Sequence, residues 1–85
     1  MIRRENLGVI ENGNSYHVSI PTEVAHIVGD YGFSHPDIVI EKVGHGYHNA
    51  GWEYYEYRIR AASPSKAQKA AEAINFLAYC EFQGV

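Results

Sequence analysis

Residues 52–82, WEYYEYRIRAASPSKAQKAAEAINFLAYCEF, read as one aromatic strand that runs through a capped junction into one long helix, and the rest of the chain must fold around that unit. Over residues 52–61 the alternation puts Tyr55, Tyr57, Ile59 and Ala61 on one face and Trp52, Tyr54, Glu56, Arg58 and Arg60 on the other. That is the period of two of a half-buried strand. One face goes to a core, while the other joins Trp52 and Tyr54 to two arginines in an amphipathic, cationic strip. Ser63 stands where an N-cap is wanted, and Pro64 takes the first helical position, where its missing N–H costs nothing. Beyond them Ala67, Ala70, Ala71, Ile74, Leu77 and Ala78 recur at steps of three and four. The helix therefore has an apolar side of mostly small residues that can lie close on a sheet.

Upstream, residues 7–11 form a short apolar run followed by Asn12, Gly13 and Asn14, residues that tolerate the positive φ of a hairpin turn. Residues 15–20 then alternate Tyr16, Val18 and Ile20 against Ser15, His17 and Ser19, a second strand. Pro21 ends it, and Val24, Ala25, Ile27 and Val28 give about two helical turns before Gly29 supplies a stop signal. Residues 30–36 read as a loop, because His35 precedes Pro36. Residues 37–43 are rich in β-branched side chains, with Ile38 and Ile40 on one side and Val39, Glu41 and Val43 on the other, and pair most simply with residues 52–61. The glycine-rich segment 44–51 between them predicts a mobile tip. The expected fold is α+β: one domain over residues 1–85, with a small antiparallel sheet of about four strands in ββαββα order. One long C-terminal helix packs on it.

Gly13-Asn14-Ser15, Val18-Ser19-Ile20-Pro21, Glu23-Val24-Ala25 and Gly29, followed by a strand over residues 37–43, resemble the AbrB/MazE family of swapped-hairpin antitoxins and transition-state regulators. The resemblance covers residues 13–43. It implies an intertwined homodimer that reads DNA through its first hairpin and, in many members, neutralises a toxin through a separate segment. The family commonly carries Arg before Ile-Pro and Lys after it, whereas this chain has Ser19 and Thr22 there. The closing helix in turn resembles that of double-stranded RNA-binding domains. In those domains a Ser-Lys-Lys motif meets phosphates, and here Ser65-Lys66 is followed by Lys69-Ala70-Ala71.

Charge limits the function classes. A formal net charge of −3 argues against general coating of nucleic acid. Arg58, Arg60, Lys66 and Lys69 nevertheless fall together at the strand–helix junction with no acid between Glu56 and Glu72, so a local phosphate contact is expected there if one is made anywhere. One cysteine, Cys80, on an apolar helix excludes an intramolecular disulfide and fits a reducing, cytoplasmic setting. No signal peptide or membrane-length apolar run is apparent. Five histidines include His45 and His48 in the glycine-rich tip, but no cysteine pair or zinc-helix motif completes a metal site, and no cofactor is implied. No catalytic motif appears. The sequence thus points to a non-catalytic regulator of antitoxin or inhibitor type that binds a partner protein, a toxin or nuclease. Trp52, Tyr54, Arg58 and Arg60 make that contact, and Arg58, Arg60, Lys66 and Lys69 are the residues for phosphate of RNA or DNA. Its alternatives are a stand-alone RNA-binding module and a structural homo-oligomer, a homodimer in the simplest case.

Overall fold

A computed structural model of the chain describes residues 10–12, 15–48 and 51–84. The fold is α+β: an antiparallel sheet with the long C-terminal helix packed on one face. Three long strands make its body, β2 (Ser15–Pro21), β4 (Glu53–Arg60) and β3 (Val39–Tyr47). The three-residue β1 (Ile10–Asn12) pairs along the outer side of β2, so the order across the sheet is β1-β2-β4-β3. Of the expected first strand, residues 7–9 lie outside the described residues, as do Gly13 and Asn14 of the turn.

The core forms where the alternating faces meet. Val18, Ile20 and Ile59 are fully buried, and Tyr16 and Tyr57 nearly so. Tyr16 lies opposite Ile59 and Val18 opposite Tyr57, which puts all of them on one side of the sheet. Helix α2 (Pro64–Gln83) covers that side with Ala67, Ala70, Ala71, Ile74 and Ala78, all buried. The small side chains let its backbone come close to the strands. Its start is the one the sequence announces. The Ser63 Oγ accepts from the Lys66 N–H at 3.2 Å, and Gly84, at φ 77°, closes the helix in the left-handed region that favours glycine.

Two expectations are corrected. The short helix does not stop at Gly29. A 3-10 turn (Thr22–Val24) leads into α1 (His26–Ser34), which passes through Gly29 and Gly32 with ordinary helical φ at both. Val28 drives this by burying itself in the core, with Ile27 and Tyr31 packed beside it. The helix ends instead at His35, whose place before Pro36 disfavours helical backbone. There His35 Nδ1 lies 2.9 Å from the Tyr31 carbonyl and the imidazole stacks on the Tyr31 ring. Five of the seven residues of the expected loop 30–36 are thus helical.

The second correction concerns the glycine-rich tip. Strand β3 runs on through Gly44 and Gly46 to Tyr47, and only Asn49 and Ala50 of this tip lie outside the described residues. A bulge makes this possible. Lys42 pairs with Tyr57 and Gly44 with Glu56, which leaves Val43 as an extra residue. Before the bulge Ile40 and Lys42 face the helices, and after it His45 and Tyr47 do. Gly44 and Gly46 lie under the side chains of their partners on β4: a Cβ on Gly46 would stand 2.8 Å from the Tyr54 hydroxyl, and one on Gly44 2.8 Å from a Glu56 carboxylate oxygen.

Candidate functional site

The cationic strip is not the surface its residues suggest. Trp52 precedes β4 rather than belonging to it. Its ring packs against the core beside Phe82, centroids 5.5 Å apart, and stacks on His48 at 4.6 Å. Trp52 is thus a support for the end of α2 and does not share a face with the arginines. Tyr54 does lie on the face away from the helices, edge-on to Trp52 and over Gly46. Along a strand rising about 3.3 Å per residue, Trp52 and Arg58 stand about 20 Å apart.

Arg58 and Arg60 do share a face, and both turn to the same acid. Arg58 donates from Nε and Nη2 to Glu41 Oε1 at 3.2 and 3.0 Å, and Arg60 Nη2 lies 3.0 Å from that oxygen. Glu41 is directly opposite Arg58 in the ladder. The Arg58 hydrogen bond, with the charges of both guanidinium groups, holds the Glu41 carboxyl below its ordinary value of 4.5. At the helix start, the Lys66 ammonium pairs with Asp37, whose carboxyl is likewise lowered, first by that hydrogen bond. Three of the four basic residues of the junction are therefore matched by acids. Lys69 stands apart on an exposed position of α2.

These pairs are half exposed, and such pairs contribute little at neutral pH. Their pH signature is nevertheless defined. Because the folded value of Glu41 lies below its unfolded one, its contribution is complete above about pH 4.5 and is lost as the pH falls through the folded value. The urea midpoint of the wild type is therefore expected to exceed that of Glu41→Gln at pH 7, with the gap closing on acidification. A gap unchanged at pH 3 would mean that Glu41 carries no paired charge.

The histidines of the tip part company. His45 Nε2 lies 2.9 Å from Glu53 Oε2, beside the Tyr55 ring over which Lys42 Nζ sits at 4.0 Å, while His48 goes to Trp52. Among the described residues no three His, Cys, Asp or Glu side chains gather as metal ligands. No described helix is long and apolar enough to cross a membrane.

The surface that the sequence reading passed over is an open groove between α1 and α2. Ile27 and Tyr31, one turn apart on α1, face Leu77 and Cys80, one turn apart on α2, with Asp30, Ser34, His35 and Glu81 completing the lining. The α2 half was visible as a helical spacing, but Tyr31 fell in the expected loop over residues 30–36, and only the packing of α1 on α2, some fifty residues apart, makes one surface of the two. Burial, helped by the Asp37 charge, pushes the Tyr31 phenol above its ordinary value. No protein-family model, curated protein or solved structure matches the chain.

Proposed function

We propose that this chain is a small, non-catalytic regulator that binds and neutralises a partner protein, a toxin or nuclease, as antitoxins and inhibitors do. The observation that carries this reading is the α1–α2 groove, whose apolar floor of Ile27, Tyr31, Leu77 and Cys80 is left open between two acidic residues, Asp30 and Glu81. A chain of net charge −3 with such a groove suits an apolar segment flanked by Lys or Arg. The AbrB/MazE-like pattern over residues 13–43 adds support for the regulator class. RNA or DNA is the weaker alternative, since Arg58 and Arg60 share Glu41 and Lys66 is paired with Asp37. Phosphate would compete with those carboxylates for the same cations.

The test is capture from native host cells with tagged wild type and Leu77→Gln, with and without nuclease. Leu77 is exposed, so the substitution leaves the core alone. One stoichiometric protein, retained after nuclease and lost with Leu77→Gln, is the expected result. Recovery of nucleic acid alone, with binding that weakens steeply as salt rises, would replace this reading with the RNA-binding one.

A further inference from the structure

Strand β3 is hydrogen-bonded on one side only, to β4, and its other edge is open among the described residues over nine positions. Such an edge is a template for another strand. Four of the six exposed large apolar side chains of the described residues are Val39, Val43 and Tyr47, spread along β3, and Phe33 on the α1 helix beside it. Phe33 and Tyr47 are the most exposed of all, at 88% and 73%. Phe33 belongs to this edge because of its place on α1. Ile27 and Tyr31 turn toward α2, and Gly32 sits over Ile40. One residue on and about 100° round the helix, Phe33 points off the side away from α2, beyond β3.

We infer that this edge joins two copies of the chain, with β3 pairing antiparallel to β3 about a two-fold axis normal to the sheet. The bulge makes the edge complementary to itself. In an unbroken strand Ile40 and Tyr47, seven apart, would point to opposite faces. With Val43 inserted, both face the helices. Antiparallel pairing can then set Ile40 opposite Tyr47 of the second copy, with the axis between Val43 and Gly44. The Tyr47 ring of each copy lands beside Phe33 of the other, so the two most exposed apolar side chains cover each other twice. The same register places Lys42 opposite His45 of the second copy, which is held on Glu53. A foreign strand would satisfy the backbone edge, but only a second copy brings both aromatic pairs. The two sheets become one, and the α1–α2 groove of each copy stays open on the far side of α1. This inference is independent of what the groove binds.

Sedimentation of the full chain tests it. The wild type is expected to sediment as a dimer at micromolar concentration. Phe33→Lys and Tyr47→Lys are each expected to raise the dissociation constant about tenfold or more. Both side chains are exposed, and an unchanged helical circular dichroism spectrum confirms that the variants fold. A wild type that stays monomeric to high micromolar concentration would overturn the inference without any variant. A dimer indifferent to both lysines would overturn it equally.

Discussion

Asn75→Asp is expected to lower the unfolding free energy at pH 7 by about 3–5 kcal/mol, the scale for an uncompensated buried charge. Asn75 is fully buried on α2, between the alanines that meet the sheet, and the other largest fully buried side chains among the described residues are apolar. An amide can rest there because it is neutral, whereas a carboxylate must leave water to occupy the same space. The sign with pH is opposite to that of Glu41. Burial raises the new carboxyl above its unfolded value, so protonation favours the folded variant, and its deficit against wild type shrinks as the pH falls. Urea denaturation of both proteins at pH 7 and near pH 5 measures this. A deficit under about 1 kcal/mol at pH 7 would show that position 75 reaches water.

The second large effect is expected at Ile59. This side chain sits in the central strand, between Tyr16 on one neighbour and Ile40 on the other, and is fully buried beneath the helices. Ile59→Ala is expected to cost about 2–5 kcal/mol, the range for an aliphatic side chain truncated in a core that collapses only in part. Against a total stability of about 5–15 kcal/mol for a domain of ordinary size, that is a large share. The midpoint of urea unfolding should fall with no change in slope. A change in slope would mean that the substitution alters the compactness of the folded or unfolded state rather than stability alone.

Strand β4 and helix α2 were legible in the sequence because their signals are local. Ser63 and Pro64 fix the start of α2 within a few residues of themselves, and the alternation of Tyr57 and Ile59 names its own face. What escaped depended on partners distant in the chain. Gly29 is a stop signal locally, yet the helix runs past it because Val28 and Tyr31 pack on a core built from other elements. The bulge at Val43 belongs to the ladder with β4 and leaves no mark in residues 37–43 alone. The acids that pair with the junction's bases escaped for the same reason. Glu41 lies seventeen residues before Arg58, and Asp37 twenty-nine before Lys66, so the pairs appear only once the sheet and α2 are assembled. Trp52 departed from its expected face because β4 begins after it, which leaves the ring to swing onto Phe82.

The proposed role turns on whether a protein occupies the α1–α2 groove, and Cys80 on its wall is the chain's one cysteine. A photoreactive group attached to that thiol and activated in nuclease-treated native lysate therefore reports on the groove alone. One cross-linked protein is expected, joined through an apolar segment carrying Lys or Arg and competed away by unlabelled wild type but not by Leu77→Gln. The absence of any protein adduct that wild type displaces, or displacement just as strong by Leu77→Gln, would contradict the assignment.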